Sequence, residues 1–432
     1  MYATINEVYQ FLQNRKAFGI RLGLGRMEKM LAMLDHPEQH LKAVHVAGTN
    51  GKGSTITFIK QALIANGYKV GTFTSPALHE FNEHICMDHE PIPDTSLMAC
   101  VNQLLPIVEQ LDLENDPPTE YEIVVMIAIL YFTHNVDIAL FETNMGGRDD
   151  STNCIQPILT IITNIGLDHT RMLGETYQEI AAHKAGIIKQ GIPLILGNIG
   201  GEALVVIHRE AIDKNAIIYQ YGQDFTVRDS QQNNAGMECF TFVGNRIELE
   251  AITISMRGKH QMVNAAVACQ ALMELDRQGF SLRTSVTRKG IKQAVMPGRF
   301  EQMSSCPRVI VDAAHNQEGL RAFVQAVERY FPSKQKTLIF AAFQDKPLTK
   351  MVPQLDSKLF DQVTFTSFTH QRASTAETLA QLSSHENKQV MPDWKLAILA
   401  VLHKDEQSLV FVTGSLHFIG LVKQYFENSF EL

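Results

Sequence analysis

The chain has 432 residues, of which 45% are hydrophobic and 19% are charged, and its formal net charge is −8. This composition is that of an ordinary globular protein long enough for two or three domains. The net negative charge and the lack of a long basic run argue against nucleic acid as a partner.

Apolar runs and cysteines indicate where the protein acts. The most apolar run, residues 123–132, is too short to cross a bilayer, and the first fifteen residues lack the basic and apolar segments of a signal peptide. The six cysteines lie far apart without a CxxC pair, which favours free thiols in a reducing compartment over disulfides or a zinc site. We therefore expect a cytoplasmic protein without a membrane partner.

The first predicted elements are two amphipathic helices, at residues 5–17 and 26–35, joined by a loop with glycines at positions 19, 23 and 25. A glycine-spaced loop of this kind either closes over a ligand or simply connects two helices. The spacing alone leaves both interpretations open.

Residues 44–55 have the pattern of a strand, a tight loop of small residues and the start of a helix. Glycines let backbone N–H groups converge on a phosphate, the helix N-terminus adds partial positive charge, and Lys52 adds a full charge. The common phosphate loop has Ser or Thr directly after the lysine to hold Mg²⁺, whereas this chain has Gly53. The stretch predicts phosphate binding with a metal ligand supplied from elsewhere. The alternative is a glycine-rich turn that binds no phosphate.

Strands and helices then alternate, which predicts a parallel sheet with right-handed crossovers. The predicted strands are residues 68–75, 136–142, 158–163 and 193–196, and the predicted helices are 94–111, 119–134 and 176–189. Thr119 with Glu122 forms a capping box for the second helix, and Asp94 is the predicted cap of the first. Residues 222–257 predict an antiparallel meander, followed by helices at 262–277 and 284–294.

Side chains at the carboxyl edge of this sheet are candidates for the missing metal ligands. Ser75, Glu142 and His169 stand at or just after the ends of predicted strands, where the ligands of parallel sheets gather. Mg²⁺ prefers oxygen ligands, so Glu142 is the strongest candidate. The alternatives are a Ser-Pro turn, a carboxylate that caps a turn, and a histidine bonded to a backbone carbonyl.

Lys184 lies among small and apolar residues of the predicted helix at 176–189. A desolvated lysine has a lowered pKa and reacts with carbonyl compounds. The alternative is a helix lysine whose stem covers apolar surface while its ammonium group stays in water.

A second, smaller unit follows a linker that Pro297 and Gly298 mark. Its predicted strands are residues 309–312, 337–341, 363–368 and 409–413, separated by helical runs. Asp312 and His315 follow the first of these strands, and Arg299 lies in the linker. They offer a carboxylate, a base or donor, and a cation for phosphates, with helix capping and a surface arginine as the alternative.

The fold class predicted from these patterns is α/β. A mainly parallel sheet domain that contains the phosphate loop, residues 1–295, precedes a smaller C-terminal α/β domain of dinucleotide-fold type, residues 296–432.

Nearly the whole chain resembles the folylpolyglutamate synthase and dihydrofolate synthase family of the Mur ligase superfamily. The motifs that carry the resemblance are residues 46–54, 74–76, 146–148, 166–169, 183–189, 258–261 with Asn264, 297–299, 312–316 and 413–415. So many motifs in the same order do not match a family by chance. The resemblance implies Mur ligase-like domains and an ATP-dependent ligase that adds L-glutamate to a folate or pteroate through an acyl phosphate.

The resemblance also implies a role for each matching residue. ATP contacts are Asn50, Gly51, Lys52, Gly53, Ser54, Asn264, Arg299 and Asp312. Mg²⁺ ligands are Ser75, Glu142, His169 and the carbamate formed from Lys184 and CO₂. Folate contacts are Gly19, Ile20, Arg21, Leu22, Thr119, Asp149, Asp150 and Ser151. Lys52, Lys184 and His315 act in catalysis, a monovalent cation is a further expected cofactor, and the expected state is a monomer.

Several positions depart from the family pattern. His84 replaces an arginine, Thr143, Asn144 and Met145 replace a Val-Gly-Leu, and Asp149 replaces a leucine. They leave the nucleotide residues intact and leave the preferred folate open. Two other functions stay open on sequence alone, namely a phosphate-loop NTPase that ligates nothing and a diverged folate-binding paralogue.

Overall fold

The computed structural model describes residues 1–77, 80–233, 236–245, 247–332, 335–402 and 408–429. Its contacts divide the chain into two compact units. Unit 1 comprises Met1–Ser230, Cys239–Thr253 and Val263–Ala294, and unit 2 comprises Gln231–Glu238, Ile254–Met262 and Val295–Leu432.

An eight-stranded sheet forms the centre of unit 1. Its strands are β1 (Ala43–Ala47), β2 (Val70–Phe73), β3 (Ile85–Met87), β4 (Glu90–Pro91), β5 (Ile138–Glu142), β6 (Leu159–Ile162), β7 (Leu194–Leu196) and β8 (Ile218–Gln220). Their order is β4-β3-β2-β5-β1-β6-β7-β8. All five residues of β1 are buried, and β1 pairs in parallel with β5 on one side and β6 on the other. The carboxyl end of β1, which feeds the predicted phosphate loop, therefore lies in the middle of the sheet.

Helices connect these strands, as the alternating pattern predicts. They are α1 (Ile5–Arg15), α2 (Gly25–Ala32), α3 (Lys52–Ala65), α4 (Asp94–Leu113), α5 (Glu120–Thr133), α6 (Thr170–Leu173), α7 (Tyr177–Ala185) and α8 (Gly201–Asp213). Capping boxes start α1, α5 and α7, with Thr4, Thr119 and Thr176 each accepting from the backbone N–H three residues on. Helix α5 is apolar on nearly all sides and is buried accordingly.

Unit 1 also includes most of a three-stranded sheet and two later helices. The sheet has the order β11-β10-β9, with β9 (Phe225–Gln232), β10 (Glu238–Gly244) and β11 (Ile247–Ile254). Strands that follow one another in the sequence are also neighbours in this sheet, as in a meander. Helices α9 (Lys259–Arg277) and α10 (Thr284–Gln293) follow.

Unit 2 contains a six-stranded sheet of order β12-β13-β17-β14-β15-β16. Its strands are β12 (Glu301–Ser305), β13 (Arg308–Asp312), β14 (Lys336–Phe340), β15 (Gln362–Ser367), β16 (Lys388–Asp393) and β17 (Leu409–Thr413), and its helices are α11 (Gln317–Tyr330), α12 (Leu348–Met351), α13 (Ala376–Gln381), α14 (Trp394–Leu402) and α15 (Leu416–Ser429). Every pair is parallel except β12 with β13. Ile310 packs into one hydrophobic cluster while Val309 and Val311 pack into another, so helices cover both faces.

The structure corrects three details of the predicted elements. Asp94 is the first residue of α4 rather than its cap, and its carboxylate accepts hydrogen bonds from Tyr9 and Asn82. Strand β6 ends at Ile162, so His169 lies seven residues beyond the strand rather than at its end. The edge strands β4 and β8 and the short strand β3 next to β4 were not predicted, because two or three residues carry no recognisable alternation.

Two further expectations concern membranes and thiols. No helix in the described ranges has both the length and the apolar character of a membrane span. All six cysteines are free thiols, as their spacing predicts.

The packing of α3, the helix that follows the phosphate loop, leads to a stability prediction. A Cβ at Gly290 of α10 would lie 2.5 Å from the Gln61 carbonyl oxygen and 2.7 Å from Ala62 Cα. Because backbone atoms cannot yield as a flexible side chain does, we expect Gly290→Ala to lower the free energy of unfolding by about 1–3 kcal/mol. The control is Gly25→Ala, where no atom lies within 4 Å. Denaturant titration should show the control at or above wild-type stability, and equal stability of both variants would contradict the tight packing.

Candidate active site

The phosphate loop, residues 48–51, begins and ends with glycines that neighbouring side chains approach closely. A Cβ at Gly48 would lie 1.9 Å from Thr163 Oγ1. Gly51 has a φ of 84°, and a Cβ there would lie 2.5 Å from Asn264 Oδ1. Both glycines are therefore required by close approach, and Gly51 also by its left-handed backbone. Asn264, a predicted ATP contact, lies directly against the loop.

Asn164 shapes the same loop, although the sequence did not single it out. Its side-chain oxygen accepts the N–H groups of Thr49 (3.1 Å) and Asn50 (2.8 Å), and its carbonyl oxygen accepts Thr49 N–H at 3.2 Å. Thr163 donates to the Asn50 carbonyl oxygen at 2.6 Å. The sequence could have indicated Thr163 and Asn164, because both directly follow the buried strand β6, which neighbours β1.

The first turn of α3 supplies the groups that bind a phosphate. Lys52, Gly53 and Ser54 are its first three residues, and the N–H groups of a first helical turn have no acceptor within their own helix. The helix dipole adds partial positive charge at this end. Lys52 Nζ donates to the Gly48 carbonyl oxygen at 3.0 Å and lies 3.7 Å from Glu142 Oε1. The structure thus brings the predicted lysine and the predicted metal carboxylate together.

The predicted metal ligands differ in how well their surroundings suit a cation. Glu142 is the last residue of β5 and is buried, beside Lys52. Ser75 follows β2 by two residues, and its buried hydroxyl oxygen has no hydrogen-bond partner among the residues that the structure describes. Such an orphaned oxygen near a strand-end carboxylate fits a Mg²⁺ site, since buried hydroxyls otherwise find partners.

His169 is exposed and starts α6 with a left-handed φ of 52°. Within the described ranges, no group of three or more His, Cys, Asp or Glu residues is arranged as a metal site. The predicted ligand set contains only two residues of those types, together with Ser75 and a modified lysine.

Lys184 is buried in α7, with only 4% of its surface exposed. Burial, and then the positive charge of Lys52, lower its pKa to about 7, against the opposing effect of Asp168 and Asp150. The surface-lysine alternative is therefore wrong for this side chain. At neutral pH a large fraction of the amine is uncharged, and an uncharged amine is the nucleophilic form.

Close packing of glycines holds Lys184 in place. A Cβ at Gly147 would lie 3.0 Å from the Lys184 carbonyl oxygen, and one at Gly186 would lie 2.4 Å from Arg148 Cα. Arg148 N–H donates to the His183 carbonyl oxygen at 2.7 Å. The end of α7, which lies in the motif at 183–189, therefore packs closely against residues 146–148, which form another of the motifs.

Asp150, a predicted folate contact, organises the loop after β5. One carboxylate oxygen accepts the N–H groups of Asn144 and Met145, both at 2.9 Å. The other accepts the hydroxyl of Thr152 at 2.6 Å and that of Tyr121 at 3.3 Å. Burial raises the pKa of Asp150, against the effect of these hydrogen bonds. The two departures Asn144 and Met145 thus keep their backbone contacts to this carboxylate.

The other predicted folate residues fall into two groups. Thr119 is buried as the cap of α5, and Ser151 is buried in the short 3₁₀ helix after Asp150. Asp149 lies at the surface of the same loop, 3.6 Å from His183 Nδ1. These side chains mainly define the shape of the loop.

The loop between α1 and α2 presents apolar groups to solvent. Ile20 is 71% exposed and Leu22 is 46% exposed, while Gly19 has a φ of 63°. Arg21 between them donates to the Pro117 carbonyl oxygen at 2.9 Å and to Asp116 at 3.1 Å. Exposed apolar residues on an anchored, glycine-flanked loop suit contact with a flat aromatic ligand.

Two further departures from the family pattern have defined environments. His84 donates from Nδ1 to the Thr74 carbonyl oxygen at 2.8 Å, and burial lowers its pKa. Thr143 follows Glu142, and its buried hydroxyl has no hydrogen-bond partner within the described part of the chain. Both lie beside the segments that bear Ser75 and Glu142.

In unit 2 a tight turn assembles Arg299, Asp312 and His315. The Asp312 carboxylate accepts the N–H groups of Phe300 and Ala314, each at 2.9 Å, and burial raises its pKa although Arg299 opposes this. Arg299 Nη1 and His315 Nδ1 both donate to the Ala313 carbonyl oxygen, at 3.2 and 2.9 Å. Because a carbonyl oxygen only accepts, the proton of a neutral His315 is on Nδ1 and the lone pair is on Nε2.

Comparison with known proteins identifies the family. The Mur ligase middle domain matches residues 46–272, and the Mur ligase glutamate ligase domain matches residues 298–416. The dihydrofolate synthase/folylpolyglutamate synthase of Bacillus subtilis strain 168 is 40% identical, over 98% of this chain and 99% of the relative. The chain belongs to the dihydrofolate synthase/folylpolyglutamate synthase family. The predicted family and the Mur ligase-like α/β fold class are thus confirmed.

Solved structures of dihydrofolate synthase/folylpolyglutamate synthase relatives have the same fold. Mycobacterium tuberculosis folylpolyglutamate synthase complexed with ADP superposes with a TM-score of 0.88, at 26% identity and 98% coverage of both chains. The E. coli FolC complex with DHPP and ADP gives a TM-score of 0.87, at 25% identity, covering 99% of this chain and 98% of that one.

The lowered pKa of Lys184 predicts a pH-dependent stability. Its folded pKa of about 7 lies below the ordinary value of 10.5, so the unfolded chain binds more protons between these two pH values. The destabilisation from the buried charge is complete below pH 7 and is relieved as pH rises toward 10.5. In CO₂-free buffer, we expect wild type to gain stability relative to Lys184→Met over this window, by at most about 5 kcal/mol.

Urea unfolding at a series of pH values measures this difference. The exposed residue Lys69 provides the control, because Lys69→Met removes an amine that is not buried. A difference between wild type and Lys184→Met that stays constant from pH 7 to 10 would show that the Lys184 amine has an ordinary pKa.

Proposed function

We propose that this protein is an ATP-dependent ligase that joins L-glutamate to a folate or pteroate through an acyl phosphate. The observation that carries the proposal is the shape of the phosphate loop, with Lys52 beside Glu142 at the start of α3. Membership of the dihydrofolate synthase/folylpolyglutamate synthase family supports the same reaction.

The nucleotide is the first substrate of the proposal. Asn50, Gly51, Lys52, Gly53 and Ser54 would surround the phosphates, and Asn264 would contact the nucleotide from its position against Gly51. Arg299 and Asp312 are further proposed ATP contacts. Relatives crystallised with ADP and with AMPPCP support a nucleotide at this loop.

Mg²⁺ is the proposed metal. Ser75, Glu142 and His169 would hold it, and the orphaned Ser75 hydroxyl and the buried Glu142 carboxylate fit its preference for oxygen ligands. When bound, Mg²⁺ supplies positive charge that stabilises the transferring phosphoryl group. A monovalent cation is a further proposed cofactor.

Lys184 is proposed to carry a carbamate. Its uncharged amine nitrogen attacks the carbon of CO₂, one C=O π bond opens onto oxygen, and the nitrogen releases a proton to solvent. The product is an anion in place of a cation, next to Lys52. This exchange removes the repulsion that lowers the pKa of the unmodified amine and creates a carboxylate-like metal ligand.

Folate is proposed to bind at the segments that contain Gly19, Ile20, Arg21 and Leu22 and at Thr119, Asp149, Asp150 and Ser151. Ile20 and Leu22 offer exposed apolar surface, whereas Thr119 and Asp150 act chiefly by shaping the loop. The E. coli relative solved with DHPP and ADP supports a pterin-type substrate.

The proposed chemistry has two steps. A carboxylate oxygen of the folate substrate attacks the γ-phosphorus of ATP, the bond to the bridging oxygen breaks, and ADP leaves. The glutamate amine then attacks the acyl phosphate carbonyl, inorganic phosphate leaves, and the amine loses a proton. Lys52 and Arg299 would neutralise the charge spread over the phosphoryl oxygens, and exclusion of water would protect the acyl phosphate.

His315 is the proposed group near the incoming amine. Its Nδ1–H donates to Ala313, so Nε2 carries the lone pair that accepts a proton. Arg299 shares the same carbonyl acceptor, which places a cation beside this imidazole.

Several finer points belong to the same proposal. The functional domains would divide near residue 295, the protein would act as a monomer without nucleic acid or membrane partners, and its six free thiols suit the reducing cytoplasm. Whether tetrahydrofolate, dihydropteroate or both serve as acceptor is a matter for assay.

Replacement of Lys52 tests the reaction directly. Glutamate-dependent ADP release should be measured with dihydropteroate and with tetrahydrofolate separately. Lys52→Ala should lower the rate of ADP release with either acceptor by a factor of about 10³ or more. The substitution removes the positive charge that offsets the negative charge of the phosphoryl oxygens. Its circular dichroism melting curve should match that of wild type.

Three outcomes would contradict the proposal. Normal turnover by Lys52→Ala would show that the phosphate loop is not the ATP site. ADP release by wild type that does not depend on glutamate would favour a phosphate-loop NTPase. Binding of folate without any ADP release would favour a silent paralogue.

The carbamate on Lys184 is tested separately. Wild type incubated with ¹³C-bicarbonate should show a carbamate carbon signal that is absent from Lys184→Met. The control is Lys189→Met, because Lys189 is also largely buried and burial also lowers its pKa. A signal that persists in Lys184→Met and disappears in Lys189→Met would show that Lys189 carries the carbamate, which would contradict the proposal for Lys184.

A further inference from the structure

Arg26, the second residue of α2, forms a buried ion pair with Glu122 of α5. Only 11% of the Arg26 side chain and 1% of the Glu122 side chain are exposed. Arg26 Nε donates to the two Glu122 carboxylate oxygens at 2.9 and 3.0 Å, and Nη2 lies 2.8 Å from Oε1. Both residues lie in unit 1. A buried pair of this kind joins its two helices firmly, because either charge alone would be strongly destabilising.

The same guanidinium binds the loop between α1 and α2. Arg26 Nη2 donates to the Arg21 carbonyl oxygen at 3.2 Å, and Nη1 donates to Asp116 at 3.4 Å. Asp116 also accepts Arg21 Nη2 at 3.1 Å, next to the Pro117 carbonyl oxygen, which accepts Arg21 Nη1 at 2.9 Å. Asp116 is partly exposed, so solvent weakens its ion pairs. The loop is therefore held chiefly by the buried guanidinium of Arg26.

Glu122 connects Arg26 to the beginning of α5. Its Oε2 accepts the Thr119 backbone N–H at 2.8 Å and the Thr119 hydroxyl at 2.9 Å, as part of the capping box. One carboxylate therefore binds both the arginine of α2 and the cap of α5. A lysine would keep the charge of this pair. Only the planar, forked guanidinium binds two carboxylates and a backbone carbonyl oxygen at once.

The segments that Arg26 joins are those to which folate binding is assigned above. Arg21 lies in the loop at residues 19–22, and Thr119 is the cap of α5. The same loop also reaches the third folate segment, because the Gly23 N–H donates to the Asp149 carbonyl oxygen at 3.5 Å. Exposed apolar side chains bind a ligand more tightly when the loop that bears them is already held in position.

We infer that Arg26 is a positioning residue for the folate substrate. It binds the Arg21 carbonyl oxygen and the Glu122 carboxylate together. The exposed side chains of Ile20 and Leu22, on either side of Arg21, therefore stay fixed relative to the start of α5. The inference rests on the proposed function in taking a folate or pteroate as the ligand of these segments.

Arg26→Lys tests the inference because it keeps the charge that the buried Glu122 requires and removes the fork. We expect the Kd for dihydropteroate, measured by fluorescence titration with ADP present, to rise about tenfold, which corresponds to about 1.4 kcal/mol. The Kd for ADP should stay unchanged. The effect should depend on the loop, so in an Ile20→Ala/Leu22→Ala background Arg26→Lys should change the dihydropteroate Kd by about twofold at most.

The loop can also be followed without any folate. Hydrogen exchange at the Gly23 amide should be about fivefold faster in Arg26→Lys than in wild type, because a loosened loop opens its bond to Asp149 more often. Thermal melting should show that each variant is folded at the assay temperature.

The matched control is Arg329→Lys. Arg329 also binds a buried glutamate, Glu238, through Nε and Nη2 at 2.9 and 3.0 Å. Both of these residues belong to unit 2 and to none of the proposed folate segments. Arg329→Lys should therefore leave the dihydropteroate Kd and the exchange at Gly23 unchanged.

Any of four results would overturn the inference. They are an unchanged dihydropteroate Kd in Arg26→Lys, an unchanged exchange rate at Gly23, an equal loss of affinity in Arg329→Lys, and effects of Arg26→Lys and the loop substitutions that simply add. Failure of the proposed function looks different, because wild type would then bind no dihydropteroate or release no ADP in response to glutamate. Wild-type binding that Arg26→Lys does not weaken would refute the positioning role alone.

Discussion

The close packing around the phosphate loop is the constraint on which the rest of the site depends. Gly48 lies against Thr163, and Gly51 lies against Asn264, at distances that exclude any Cβ. Asn164 binds the N–H groups of Thr49 and Asn50. Because two separate segments, residues 163–164 and Asn264, converge on four backbone residues, the first turn of α3 and its lysine are presented at the carboxyl end of the central strand.

The phosphate loop of unit 1 carries local positive charge, although the chain as a whole is negatively charged. The chain has a net charge of −8, yet Lys52 and the buried Lys184 interact near the phosphate loop. Burial, with the repulsion from Lys52 added to it, lowers the pKa of Lys184 and makes this amine reactive, since both effects increase the uncharged fraction. Glu142 supplies carboxylate oxygen atoms beside Lys52, and the Ser75 hydroxyl follows β2, the strand that pairs with β5. Acidic substrates therefore meet locally placed positive charge on an acidic protein.

The parts of the fold that the sequence could predict are those whose causes are local. The capping boxes at Thr119 and Thr176, the strand before the phosphate loop and the exposed glycine loop at 19–25 all follow from short patterns. The strands β3, β4 and β8, of two or three residues each, were missed, because pairing with a neighbour defines them rather than any periodicity. The predicted strand at 158–163 matches β6 to within one residue at each end.

The candidate site divides in the same way. The residues and their order were enough to predict the family, the α/β class and the phosphate loop, since glycine at a left-handed position and lysine at a helix start have local physical reasons. The folded chain was needed to show that Lys184 is buried, that Asn164 shapes the loop and that Asp150 ties the loop after β5. Burial and long-range hydrogen bonds depend on which segments become neighbours, and no spacing along the chain specifies that.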